Sequence, residues 1–323
     1  MKQTYSFIIF AYIIGLLLSG CNMHSTLRTG LPEIVEIHAD SIQTPPILLS
    51  VSSLFKIGND VLVVYQEKDD TLFSFWKLPE CSYLFKAGIK GQGPNDFLVL
   101  DRSFQGTEQG FMALEVATNR IKRVEITDNN TLKVNTEKID VNHPVQRLLF
   151  LADNNYCFFS FNDENEFALY NEDKGESFFG KYPDLISKEE NEMNMFVYNK
   201  VTVATPKGDK FAAFYAYLKL CRIYAADGHL LKEVYLEGPQ TLENGSRKMY
   251  YSIQPYATDR NIYVPIKQGD KCIVEVWNWE GEIVKRFLPD KPIHKFVVCP
   301  TNNQLYATTM ESEDYIYTYN INI

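Results

Sequence analysis

The side chains that could do chemistry are scattered along this chain. Its five histidines, His24, His38, His143, His229 and His294, stand apart, and none has a second histidine at the spacing by which one helix face gathers metal ligands. No Gly-x-Ser-x-Gly segment presents a nucleophilic serine, and no Cys-x-x-Cys or mixed Cys/His spacing indicates zinc. Acidic groups cluster at Asp69-Asp70 and at Asp163-Glu164 with Glu166. On hairpin tips such carboxylates can bind calcium through oxygen alone, but a solvated loop is the simpler account. The sequence thus calls for no metal and no cofactor, and it singles out no catalytic residue.

What remains is whatever the fold brings together, and the fold shows as a repeat. Short apolar runs begin after turn residues at Val61, Gly110, Asn155, Lys210, Asn261 and Gln304, with spacings of 49, 45, 55, 51 and 43 residues. Each is followed, past a polar turn, by a second run: from Thr71, Arg120, Glu166, Leu220, Cys272 and Tyr315. Ala226-Asp227-Gly228 and Trp279-Glu280-Gly281 then offer glycines able to take the positive φ of a tight hairpin, before third runs from Leu230 and Glu282. Aromatic residues make up 14% of the chain, with 20 Tyr and 21 Phe, which favours strands. Six units of up to four short strands predict an all-β, six-bladed β-propeller.

The last unit offers only three strands before the chain reaches Ile323, whereas Glu33-Ile34-Val35-Glu36-Ile37 alternates apolar and polar residues with no unit of its own. Placing that N-terminal strand on the last blade closes the ring and removes exposed edges. By order along the chain, the innermost strands then bring Asp101, Arg102, Gln146, Arg147, Asn199, Lys200, Gln254, Tyr256, His294 and Lys295 to the central channel. This set is polar and mixed in charge, suited to a wet channel that binds something. The one helix candidate is Pro183 to Met193, with Pro and Asp early and acids in its first turns, inserted where the spacing is longest.

Directly after the first unit comes Ala87-Gly88-Ile89-Lys90-Gly91-Gln92-Gly93-Pro94-Asn95-Asp96-Phe97. It resembles the Gly-x-Gly-Pro-Gly-Glu-Phe loop of TolB-like six-bladed propeller lipoproteins of Bacteroides-type bacteria, with Asn95 and Asp96 in place of that pattern's Gly and Glu. The likeness spans roughly residues 30 to 323. In this loop Gly91 and Gly93 would permit unusual φ, Pro94 would fix the bend, and Phe97 would staple the loop into apolar space between blades. The resemblance implies the fold and an exported lipoprotein; it brings no reaction with it.

The N-terminus agrees with export. Lys2 is followed by an almost unbroken apolar run from Phe7 to Leu18, too short to span the ~30 Å core of a bilayer as a helix. It reads as a signal peptide over residues 1–20, and Leu18-Ser19-Gly20-Cys21 resembles a lipobox, which makes Cys21 the lipidated first residue of the mature protein. A tether over 21–32 precedes the propeller at 33–323. The acyl chains would hold the protein on a membrane, most simply the periplasmic side of the outer membrane, since Asn22 rather than Asp follows the cysteine. The other cysteines, Cys81, Cys157, Cys221, Cys272 and Cys299, are odd in number and lie in apolar runs, as small buried hydrophobes do.

Lys and Arg total 32 against 41 Asp and Glu, so the net charge is −9, which repels phosphate backbones and excludes nucleic acid as a partner. Two classes of function remain: an envelope-anchored binding or scaffold module for a protein or polysaccharide, and a hydrolase or lyase acting on a sugar or lactone at the channel mouth. The first is preferred, because a repeated sheet supplies broad rigid surfaces and the clustered acids of an enzyme are missing from the sequence.

Overall fold

The computed structural model describes residues 30–45, 47–269 and 271–322. Cys21, the apolar leader and the start of the tether lie outside the described residues. The chain forms six small sheets, antiparallel but for one added strand, around one axis, a six-bladed β-propeller. Blade one comprises Ser53–Ile57, Val61–Tyr65, Thr71–Lys77 and Ser82–Ile89, and blade two comprises Leu100–Gly106, Gly110–Glu115, Arg120–Ile126 and Leu132–Lys138. Blade three comprises Leu149–Leu151, Asn155–Phe159, Asn165–Asn171 and Gly175–Lys181, and blade four comprises Lys200–Ala204, Lys210–Tyr215, Lys219–Ala225 and Leu230–Glu237. Tyr256–Ala257, Asn261–Gln268, Lys271–Asn278 and Ile283–Pro289 belong to blade five; Lys295–Cys299, Gln304–Thr308 and Tyr315–Asn320 belong to blade six. Six second strands begin at the six positions where the repeat was counted.

Strands form here because each blade must bury both faces against its neighbours. Second strands such as Val61–Tyr65 and Gln304–Thr308 are covered on both sides and so read as continuous apolar runs. The buried side chains fall into six clusters, one between each adjacent pair of blades: Phe55, Phe73 and Phe111 join blades one and two, and Trp76, Tyr306 and Ile316 join blades six and one. The hairpin glycines Gly228 and Gly281 take φ of +85° and +83°.

Ring closure uses an N-terminal strand, but not the expected one. Asp40–Gln43 completes blade six, antiparallel to Tyr315–Asn320 with Ser41 opposite Tyr317. Ile34–Ile37 instead runs parallel to Ile283–Pro289 as a fifth strand on the edge of blade five. Asp290 makes the step from one blade to the next possible: its amide donates to the Ile37 carbonyl at 3.1 Å and its carboxylate accepts from the Ala39 amide at 3.1 Å. The closing strand carries one apolar residue, Ile42, so alternation could not announce it. Deleting residues 30–43 should uncover Tyr315–Asn320 along its whole length, and the expected outcome is concentration-dependent association on size-exclusion chromatography where the intact chain elutes unchanged.

The helix expected over Pro183 to Met193 does not form; helix there is a single turn, Asn194–Val197. The amides of Leu185 and Ile186 both donate to the Tyr198 hydroxyl at 3.0 Å, and the Asn194 amide donates to Asp163. Side chains thus satisfy the backbone that a helix would have satisfied, while Ile186 sinks into the core between blades three and four. Among the described residues no helix is long and apolar enough to cross a membrane.

Candidate functional site

Each linker carries the chain from the outermost strand of one blade to the innermost strand of the next, so all six innermost strands run the same way along the axis. A cavity of about 680 Å³ lies between them and is lined from all six blades. At the end where these strands begin it is framed by Arg102, Gln254, Tyr256 and Lys295; at the end where they finish it meets Lys56, Glu108, Lys207 and Asp259. Its middle is partly aromatic, with Phe104 stacked on Phe55 at 4.6 Å. The charged lining is therefore Lys56, Arg102, Lys207 and Lys295 against Glu108 and Asp259, a cationic balance inside an acidic protein.

Four of the ten residues assigned to the channel from the sequence line this cavity: Arg102, Gln254, Tyr256 and Lys295. Gln254 donates from its amide to the Thr202 carbonyl, tying blade five to blade four. Asp101 works between blades. Its carboxylate accepts the Leu148 amide at 3.1 Å and the Arg102 amide at 2.7 Å, while burial holds its pKa above the ordinary carboxylate value. Arg147, with φ of +54°, donates to Asn199 Oδ1 at 2.9 Å and to the Lys200 carbonyl at 2.7 Å, and its guanidinium lies 5.0 Å from the Phe159 ring. Gln146 is exposed and offers its carbonyl to the Phe159 amide. Asp101 thus joins blade two to blade three, and Arg147 joins blade three to blade four, at the rim.

Lys200 departs furthest from the expectation. It is 2% exposed and faces into the space between blades three and four, not the channel. Its ammonium sits 5.0–5.4 Å from the ring centres of Phe159, Phe167, Tyr182 and Tyr215 and 4.0 Å from Glu166 Oε1. Burial pushes its pKa down to about 8, against the pull of Glu166. Glu166, read from sequence as part of a solvated acidic loop, is 1% exposed. Around it lie the Tyr215 hydroxyl at 2.7 Å from both carboxylate oxygens, the Tyr224 hydroxyl at 3.4 Å and Arg222 Nη1 at 3.3 Å. Asp69 is also engaged, accepting Lys86 Nζ at 2.8 Å.

His294 and Lys295 open blade six beside Arg102. Burial first, then the neighbouring cations Lys295 and Arg102, lowers the His294 pKa; burial and Arg102 lower that of Lys295. Among the described residues no hydrogen-bond or ion-pair partner reaches the His294 ring or the Lys295 ammonium, and Arg102 gives one nitrogen to Glu67 at 3.3 Å.

The glycine-rich loop lies on the same end of the propeller. Phe97 is fully buried, its ring 5.3 Å from that of Phe73. Gly91 and Gly93 do not take positive φ, which corrects the sequence reading. They make room instead for the Asp96 carboxylate, which accepts the Gly93 amide at 2.8 Å and with which a Cβ on either glycine would collide. The positive φ belongs to Gly88, at +87°. Pro94 is exposed at the tip.

No protein-family profile and no curated protein matches this sequence. Solved structures do. A protein of Bacteroides fragilis NCTC 9343 whose name describes it as exported superposes with a TM-score of 0.58 at 10% identity, over 93% of this chain and 99% of that one. A member of the DUF4221 family from Bacteroides vulgatus ATCC 8482 gives 0.57 at 12% identity, over 90% and 97%. At such identities the likeness is one of fold: this chain folds over nearly its whole described length as those Bacteroides proteins do.

Proposed function

We propose that the protein is a lipid-anchored binding module of the bacterial cell envelope, of the TolB-like kind, held through Cys21 on the periplasmic side of the outer membrane and docking a protein or polysaccharide on the propeller face where the channel's cationic end opens. The observation that carries this reading is the convergence of three long linkers on that face. The loop from Gln92 to Phe97, the insertion from Pro183 to Met193 and the linker from Gly238 to Gln254 all enter innermost strands there. Arg247 clasps Glu192 at 2.7 and 3.0 Å and so ties the second to the third. The clasped insertion and the helical turn beside it leave Leu185, Met193 and Phe196 exposed at 41%, 42% and 64%. A rigid sheet array that displays an ordered apolar loop fits recognition rather than turnover. Pull-down from detergent-solubilised envelope tests it: the double substitution Met193→Ser with Phe196→Ser should lose a partner that the wild type recovers, and equal recovery of every partner would remove this surface from the proposal.

A further inference from the structure

The basic groups at the strand-start end of the channel have a physical asymmetry. The Arg102 guanidinium stands close enough to Lys295 and His294 to add to the burial that lowers their proton affinity, and neither of these has a carboxylate partner among the described residues, while Glu67 occupies one guanidinium nitrogen of Arg102. Elsewhere in the molecule, buried cations are compensated: Lys122 by Glu115, Arg222 by Glu166 and Glu233, Arg286 by Glu275. Like charges gathered at the mouth of a concave cavity raise the potential inside it, and a net charge of −9 elsewhere does not cancel this beyond a Debye length of about 8 Å. A volume of about 680 Å³ is that of a small-molecule site.

We propose that Arg102 and Lys295, which line the cavity from blades two and six, form a binding site for a small molecule carrying an oxyanion, a carboxylate or a phosphate, whose uncharged part lies along the channel past Gln254 and Phe104. This rests on the reading of the propeller as a binding module and names the chemistry of one thing it binds. The guanidinium offers a planar pair of donors and the ammonium a point charge, so one oxyanion can meet donors from blades two and six at once. Phe104 and the Gln254 amide offer a ring face and a polar group to a sugar-sized body.

Calorimetric titration of the full chain in detergent, at pH 7 and low salt, with glucuronate, glucose 6-phosphate and glucose, tests the assignment. At least one acid should bind while glucose gives no measurable heat, and which acid binds distinguishes a carboxylate from a phosphate source. Lys295→Gln should weaken the acid about tenfold or more, Lys295→Arg should retain it, and Lys133→Gln on the outer edge of blade two should leave it unchanged. Acid affinity no better than that of glucose, or unaltered in Lys295→Gln, overturns the inference. If neither acid binds while partner capture through Met193 and Phe196 persists, the anion site is wrong and the binding module stands; if an acid binds and capture is absent, the converse holds.

Discussion

Glu166→Gln should lower the unfolding free energy by about 3–5 kcal/mol at pH 7, read from urea denaturation midpoints, a large fraction of what holds a typical domain together. Glutamine keeps the shape and an acceptor for Tyr215, so the loss isolates charge. Of the two cations around the carboxylate, Arg222 retains Glu233 at 2.6 Å and the Lys181 carbonyl at 2.7 Å. Among the described residues, Lys200 retains only the Tyr198 carbonyl at 3.4 Å and the faces of four rings. Aromatic faces attract a cation by about 0.5–2 kcal/mol, less than the several kcal/mol that desolvating an ammonium takes, so Lys200 is the stranded charge. Lys200→Met in the Glu166→Gln background should therefore recover most of the loss, whereas Arg222→Met should not.

The same lysine sets a pH dependence whose sign can be worked out. In the native protein it loses its proton near pH 8, and in the unfolded chain near 10.5. Between these values the unfolded chain binds more protons, so the Lys200 contribution to stability rises with pH, and below pH 8 its full penalty is present. The thiols of Cys157 and Cys221, whose pKa values burial raises, act in the opposite sense above pH 9, so the comparison must be a difference. Lys200→Met in the wild-type background should be more stable than wild type by about 2 kcal/mol at pH 7, and the advantage should shrink steadily between pH 8 and 10. A constant difference would mean that Lys200 is not the titrating group.

These residues also mark where the sequence stops being legible. The repeat could be read because second and third strands lie between two neighbours and must be apolar on both faces, as Leu62, Val63 and Val64 are. Innermost strands give no such signal: Leu149–Leu151 and Tyr256–Ala257 are three and two residues long. Counting back from the readable strands therefore placed Gln146, Arg147 and Asn199 in a channel when they precede it, at the rim. Lys200 is the first residue of its strand, and one step of register turns a side chain from the axis into the space between blades. Glu166 lies two residues past Asp163-Glu164, in a run that looks solvated, and its partner Arg222 is 56 positions away. Polar positions of third strands repeat as Ser74, Lys122, Arg222 and Glu275, all buried, but the residue type changes from blade to blade, so only coordinates align them. Within the channel, Lys56 and Lys207 were missed because they sit where innermost strands finish, beyond the positions from which the sequence counted.

Phe97→Ala should be the second severe substitution, lowering stability by about 3–5 kcal/mol, because it empties a site that nothing nearby can fill. The ring enters between blades one and two, where Gly88 has no side chain and a Cβ there would stand 2.5 Å from Phe73 and 3.3 Å from Phe97. The backbone on either side is pinned. The Phe97 amide donates to the Ile89 carbonyl and its carbonyl accepts from Gly91, both at 3.0 Å; Leu98 donates to Glu115, and Lys122 donates to the Asp96 carbonyl. Relaxation into the cavity would have to break bonds held by the buried Glu115–Lys122 pair, 3.6 Å apart, so the void should persist. Phe97→Leu keeps most of the volume and should cost about 1–2 kcal/mol, while Pro94→Ala at the exposed tip should cost little. That ordering, measured by urea midpoints, separates an inter-blade wedge from a ligand loop: a loop whose residues serve a ligand would show the reverse, with Phe97→Ala costing less than about 1 kcal/mol of stability and the loss appearing in partner capture instead.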